Sequence, residues 1–192
     1  SLARLRCTFH GEPSVSAVMS RAWAMPTRDT FDCPPIAELV RKHLFGVSVD
    51  PFARNNAWAT HRNDLDPATA AEYHMDAEAF LDLMESRGVV ADCIMLAPPY
   101  SPRQISACYA SIGLKASQQD TQNAALYARV RRAARKLCRP GTKVLSFGWN
   151  SAGMGDGFDT LEILLVAHGG AHNDTICKVE QLCSLCDIEE RK

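Results

Sequence analysis

Apolar residues recur at helical spacing in four segments of the chain, separated by polar positions on the opposite side of each predicted helix. Paired prolines open the first segment and suit the first turn of a helix. Gly88 lies where the second predicted helix would need a C-terminal cap, and Pro140 and Gly141 follow the last predicted helix. This pattern predicts helices over 34–45, 76–86, 102–112 and 121–138.

Short apolar runs between these helices predict strands. They lie over 47–52, 59–65, 89–96, 143–148, 161–167 and 175–179. Strands that alternate with helices favour a parallel sheet, whereas the last two, close together in sequence, favour a hairpin. We therefore predict an α/β protein with a mostly parallel sheet and an antiparallel C-terminal hairpin at its edge.

Composition narrows the class of protein. A chain of 192 residues, 46% of them hydrophobic, can bury one substantial core. No apolar run reaches the roughly 18 residues that span a bilayer, and no secretion signal opens the chain, so we expect a cytoplasmic protein with no membrane partner. The eight cysteines are scattered, which favours reduced thiols. A net charge of −1 gives no overall attraction to nucleic acid.

Polar and rigid residues follow the predicted strands. Ala97, Pro98, Pro99 and Tyr100 come directly after the apolar run 92–96. In open α/β sheets, ligands bind at the carboxyl ends of strands, so the double proline would hold the tyrosine ring at that edge. Polar residues also stand at the ends of two other predicted strands, Asp50 at the first and Asn63 with Asp64 at the second. A turn that merely ends a strand explains Asp50 as well, and a helix N-cap explains Asp76 equally well.

Together these segments resemble the S-adenosylmethionine-dependent DNA adenine-N6 methyltransferases. The order of Asp50-Pro51-Phe52, Asp64, Asp76 and Ala97-Pro98-Pro99-Tyr100 is similar to that of the cofactor and catalytic motifs of the family. The segments 26–36, 145–151 and 168–174 also resemble parts of small adenine methylases. The resemblance covers about residues 23–180. It implies a Rossmann-like methyltransferase domain over 19–180 with helices on both faces of the sheet, an N-terminal extension over 1–18 and a tail over 181–192.

The resemblance also implies roles for individual residues. The loop after Asp50 would surround the methionine part of S-adenosylmethionine, Asp64 would bind the ribose hydroxyls and Asp76 the adenine amino group. S-adenosylhomocysteine would be the product, and Tyr100 would stack on a target base turned out of the duplex. The full set of implied cofactor contacts is Pro26, Thr30, Phe31, Asp50, Pro51, Phe52, Ala53, Arg54, Asn55, Asp64, Asp76 and Ala77.

One residue departs from the pattern of the family. The position of Ala97 carries Asp, Asn or Ser in these enzymes, and that side chain accepts a hydrogen bond from the amine being methylated. Alanine has no acceptor. Loss of one such preorganised partner costs about 10²–10³ in rate. We therefore expect the chain to bind cofactor and to methylate poorly or not at all, either as a substituted enzyme, which we favour, or as a natural non-catalytic relative.

Double-stranded DNA is the implied partner. With little spare length, recognition would fall to loops or to a second protomer of a homodimer, and the candidate contacts are Ser101, Arg103, Trp149, Asn150, His168, His172 and Asn173. A stripe of Arg129, Arg132, Lys136 and Arg139 recurs at helical spacing. It could contact phosphates, and a solvated helix face explains it at least as well.

The same sequence is compatible with other functions and with a candidate metal site. The alternatives are methylation of cytosine N4, RNA adenine or a glutamine side chain, and a non-catalytic nucleic-acid-binding subunit. Cys183, Cys186, His168 and His172 have spacings that a zinc site could use, but a single cysteine pair is weak support, so no metal is predicted.

Overall fold

The computed structural model describes residues 17–27, 29–99, 106, 109–110, 113, 123–149, 152–170 and 172–184. Within them lie a seven-stranded mixed sheet and three α-helices. The strands are β1 (Val18–Trp23), β2 (Ser48–Asp50), β3 (His61–Arg62), β4 (Ala91–Leu96), β5 (Cys138–Gly148), β6 (Phe158–Ala167) and β7 (Thr175–Leu182). The helices are α1 (Pro34–His43), α2 (Ala77–Ser86) and α3 (Asn123–Arg135), and a single 3₁₀ turn covers Thr30–Asp32.

The sheet order is β1-β6-β7-β5-β4-β2-β3. β7 runs antiparallel to both of its neighbours, β5 and β6, and every other neighbouring pair is parallel. The predicted α/β class, the mostly parallel sheet and the antiparallel pairing of the last two strands are therefore confirmed. The predicted position of the hairpin at an edge is wrong, because β7 lies between β5 and β6 and β1 forms that edge.

β1 is a strand that the sequence pattern missed. Its residues Val18–Trp23 pair in parallel with Glu162–Ala167, and most of them are exposed. An exposed edge strand buries too little of either face to show apolar alternation. The strand therefore begins at Val18, within the predicted N-terminal extension.

The link between α3 and β5 also differs from the prediction. α3 ends at Arg135, and β5 begins at Cys138 and continues through Pro140 and Gly141 to Gly148. The register between β4 and β5 shifts at this point, and Gly141 has a φ of 91°. Proline within a sheet is found at such bulges, so these two residues distort the strand and do not terminate the helix.

Two apolar clusters form the core, and successive residues of β4 belong to different clusters. The first contains Phe80, Leu81 and Met84 of α2 and Val130 and Leu137 on or just after α3, packed against Ile94. The second contains Ile36, Leu39 and Val40 of α1, packed against Met95 and against strands β5, β6 and β7. Both clusters hold the strands rigidly, so the loops at the carboxyl ends of the strands have a fixed base.

Candidate functional site

Four of the predicted site segments meet at one edge of the sheet. Strands β3, β2, β4 and β5 are neighbours and mutually parallel, so their carboxyl ends lie side by side. Asp50 ends β2, Asp64 follows β3, Ala97 follows β4 and Trp149 follows β5. The sheet therefore brings together residues that are up to about a hundred positions apart in the sequence.

Asp50 is completely buried beneath its own loop. Its Oδ1 accepts a hydrogen bond from the Phe52 amide at 2.9 Å, and its Oδ2 accepts one from Asn56 Nδ2 at 3.2 Å. Burial raises the pKa of Asp50 to about 7, against the opposing effect of these two hydrogen bonds. The side chain shapes the loop from within, so any ligand at this loop would meet the backbone and not this carboxyl group.

Asn63 braces the site, and it was not among the predicted site residues. Its Nδ2 donates to the carbonyls of Pro51 and Met75 at 3.1 and 3.0 Å, and its Oδ1 accepts from the Met75 amide at 3.1 Å. The residue is buried, and its side chain joins the loop after β2 to the segment that leads into α2. A polar residue at a strand end was visible in the sequence, but its partners depend on how two distant loops pack.

The carboxylate of Asp64 is held by two backbone amides. Its Oδ2 accepts from Arg54 at 3.1 Å, and its Oδ1 accepts from Asp66 at 2.9 Å. Partial burial raises the pKa of Asp64, and these hydrogen bonds offset part of that effect. A carboxylate has about four acceptor positions, so two remain for a ligand.

Asp76 is the N-cap of α2. Its Oδ1 accepts from the amides of Glu78 and Ala79 at 2.9 and 3.4 Å, and Ala77 is buried in the first core cluster. The capping interpretation of Asp76 is therefore confirmed. A contact between its second oxygen and a ligand stays a prediction.

The predicted N-terminal cofactor element reaches the loop after β2 through one ion pair. Asp29 Oδ1 lies 2.8 Å from Arg54 Nε. Phe31 is buried, with its ring edge-to-face against Phe147 at a centroid distance of 5.1 Å. Pro26 and Thr30 are partly exposed on either side of Asp29. The Phe31 ring therefore anchors the segment in the core and is not exposed to a ligand.

Ala97 is half-buried against the second core cluster, and Pro98 is buried. Pro98 lies over a crevice of about 20 Å³, between the ends of β4 and β5 and the side of α3. That volume accommodates about one water molecule. Tyr100, Ser101 and Arg103 lie outside the described residues, so the target-base contact predicted for Tyr100 is neither supported nor contradicted.

Three of the predicted nucleic-acid contacts line one open depression. Trp149, His172 and Asn173 surround it together with Leu165, Asp174 and Ile176, and its volume is about 450 Å³. Asn150 lies outside the described residues. An indole with polar groups at its rim can stack on a base and hydrogen-bond to its edge. The depression therefore brings together side chains of the kind that bind planar, polar rings.

His168 has a different environment from the other predicted contacts. It is buried, and its Nδ1 and Nε2 lie 2.8 Å from the Ala24 carbonyl and 2.9 Å from Thr175 Oγ1. Its backbone amide donates to Asp174 Oδ1 at 3.1 Å. Both ring nitrogens are therefore engaged within the protein, and the side chain ties the end of β1 to the start of β7.

Three of the four cations in the basic stripe, which runs from α3 to the start of β5, lie against carboxylates of the protein itself. Arg129 Nε lies 3.0 Å from Glu78, and Lys136 Nζ lies 3.0 and 3.1 Å from Asp82 and Glu85. Arg139 pairs with Asp92. These ion pairs join α3 to α2 and β5 to β4, so the stripe is a solvated face with internal partners and a weak candidate for phosphate contact.

Other classes of site have little support within the described residues. No group of three or more His, Cys, Asp or Glu side chains there could hold a metal ion. Cys186, one of the four residues of the candidate zinc site, lies outside the described residues. No helix in the described part of the chain is both long and apolar enough to cross a bilayer. Comparison with protein-family models and with curated proteins found no match to this chain.

Proposed function

We propose that this chain is a Rossmann-like, S-adenosylmethionine-dependent methyltransferase domain whose family acts on the N6 amine of adenine in DNA. The observation that carries the proposal is the meeting of the Asp50 loop, Asp64 and the Ala97-Pro98-Pro99 segment at the carboxyl ends of three adjacent parallel strands. Successive residues of β4 pack against helices in different clusters, as a sheet with helices on both faces requires. The resemblance in motif order points to the same chemistry.

The residues present fit the proposed cofactor in two respects. Asp64 keeps two acceptor positions beyond its bonds to Arg54 and Asp66, which suits two ribose hydroxyls. Asp76 uses only Oδ1 to cap α2, which leaves Oδ2 for an amino group. When bound, the cofactor supplies a methyl group on a positively charged sulfur. The chain's part is to orient that group toward the amine held beside Ala97.

Ala97 limits the reaction in this proposal. Its methyl side chain packs against apolar residues and offers no acceptor to the target amine. The missing interaction acts in the transition state, so cofactor and DNA binding would persist while the rate falls. DNA would lie against Trp149, His172 and Asn173, where the depression is open.

The test restores the acceptor. Calorimetry should show S-adenosylmethionine bound by the parent chain and by Ala97→Asp alike, and the Asp variant should methylate adenine in duplex DNA about 10²–10³ times faster. Ala97→Val is the matched control, because it adds bulk without an acceptor and should stay slow. Chemical identification of the modified base separates adenine N6 from cytosine N4, RNA adenine or glutamine as the target.

The proposal is wrong if the parent chain, with Ala97, binds no S-adenosylmethionine. It also fails as an enzyme proposal if Ala97→Asp binds cofactor and gains no activity on any of these substrates. That second outcome would favour a non-catalytic subunit that binds cofactor and nucleic acid. The apolar packing of Ala97 is the observation that supports this alternative.

A further inference from the structure

Arg54 has an unusual backbone conformation for its residue type. Its φ is +50°, and it is the one non-glycine residue with positive φ in the described part of the chain. Residues with a Cβ seldom adopt this left-handed region, because the Cβ then crowds the backbone. Such a conformation persists only when surrounding contacts hold it. The contacts of Arg54 therefore indicate which interactions require this backbone conformation.

Those contacts come from two other segments of the chain, one at Asp29 and one at residues 63–64. The Arg54 amide donates to Asp64 Oδ2 at 3.1 Å, and its Nε lies 2.8 Å from Asp29 Oδ1. The neighbouring Ala53 amide donates to the carbonyl of Asn63 at 2.8 Å. The left-handed turn thus points two successive amides of the loop after β2 at the residues that end β3.

We propose that Arg54 is a positioning residue whose left-handed backbone aims its amide at Asp64 and so orients that carboxylate toward a vicinal diol. The inference rests on the proposed function, because the diol is the ribose of the cofactor. The amide of Asp66 holds the other oxygen at 2.9 Å, so both oxygens are fixed before any ligand arrives. Binding then need not order the side chain, and the affinity gained from the diol is larger.

The effect of position 54 should appear as a preference between two ligands. Calorimetry compares S-adenosylhomocysteine with its analogue that lacks the ribose hydroxyls. A pair of hydrogen bonds to a charged group should give the parent chain a preference of at least about tenfold for the hydroxylated ligand. Asp64→Asn should reduce this preference, since the amide keeps a single acceptor oxygen.

Two substitutions distinguish the effect of the Arg54 backbone conformation from the effect of its guanidinium group. Arg54→Val favours negative φ, because a β-branched residue is strained in the left-handed region, so the preference should fall to within about twofold. Arg54→Gly adopts positive φ freely and keeps the amide, so the preference should survive. Loss of the ion pair with Asp29 would lower the affinities for both ligands together and leave the ratio of the two affinities unchanged. A merely structural role for Arg54 would also leave the ratio unchanged in Arg54→Val.

An unchanged preference in folded Arg54→Val, with S-adenosylhomocysteine still bound, would overturn this inference alone. No binding of S-adenosylhomocysteine by the parent chain would overturn the proposed function, and this inference with it. If Arg54→Val does not fold, Arg54→Ala is compared with Arg54→Gly, because these two variants differ only in the Cβ that disfavours positive φ. The preference should be lower in Arg54→Ala, and equal preferences in the two variants would contradict the inference.

Discussion

Buried polar side chains set the geometry of this sheet edge. Asp50, Asn63 and His168 are each almost fully buried. Asp50 holds its own loop from within, whereas Asn63 and His168 each join separate segments of the chain. A buried polar group without partners costs about 1–3 kcal/mol, so every one of these side chains must find its partners when the protein folds. They act as internal braces for loops whose outer surfaces remain available to ligands.

Asp50 should make stability depend on pH. Its pKa is raised to about 7 in the folded protein, so the folded state holds a proton that the unfolded state releases above its ordinary pKa near 3.8. The stabilisation is complete below that ordinary value and is lost as pH rises through about 7, by up to about 1.4 kcal/mol per unit. Urea unfolding from pH 4 to 8 should show this loss relative to Asp50→Asn.

Asp50→Asn is the reference because it cannot titrate. Its amide replaces one acceptor with a donor opposite Asn56 Nδ2, and that change contributes the same amount to stability at every pH. The difference in unfolding free energy between the two proteins should therefore change with pH through the titration of Asp50 alone. Parallel stability curves for the two proteins over this range would show that Asp50 stays ionised throughout.

At the scale of elements, α2 is defined at both ends by local contacts. Asp76 caps its first turn, and the chain leaves the helix through Gly88, whose φ is +72°. Ion pairs from Arg129 of α3 and from Lys136, just after that helix, reach Glu78 and Asp82 on its outer side. Exposed pairs of this kind contribute little to stability, so burial of Phe80, Leu81 and Met84 holds the helix in place.

Asp76→Ala should lower the free energy of unfolding by about 1 kcal/mol, because two amides of the first turn lose their acceptor. Thermal or chemical unfolding measures this loss. Asp76→Ser should recover most of it, since a hydroxyl also caps a helix. Under the proposed function, however, the serine lacks the second oxygen, and its affinity for S-adenosylmethionine should remain reduced. Recovery of both properties in Asp76→Ser would remove Asp76 from the cofactor contacts.

At the scale of the whole molecule, β1 is attached more weakly than the strands in the middle of the sheet. It has one neighbour, β6, and most of its side chains are exposed. Beyond the ladder, the Ala24 amide donates to the Ala167 carbonyl at 3.1 Å, and His168 lies 2.8 Å from the Ala24 carbonyl. Edge strands with so little buried surface open locally at low free energy.

His168→Leu should therefore loosen β1 selectively. The leucine cannot bond to the Ala24 carbonyl or to Thr175, so stability should fall by about 1–3 kcal/mol. Hydrogen exchange should speed up more at the amides of β1 than at those of β5. His172→Leu is the control, because His172 is exposed and its loss should leave β1 unchanged. Equal acceleration across all strands would mean that His168 supports the whole fold and not this edge.

The sequence alone determined the features that depend on neighbours within a few positions. Helical spacing, the cap at Asp76 and the turn at Gly88 located α1, α2 and most of α3, and apolar runs located β2, β4, β6 and β7 to within a few residues. The order of strand-end segments also predicted that Asp50, Asp64 and Ala97 would meet at one edge, because parallel strands end on the same side.

Only the tertiary structure decided which distant groups share space. The pairing of β1 with β6 joins positions more than 140 residues apart, and β7 enters between β5 and β6. Likewise, the internal partners of His168 and the ion pairs of the basic stripe depend on loops and helices packing together. Local patterns carry no information on such contacts, because burial and pairing energies arise only once the whole chain has closed around its core.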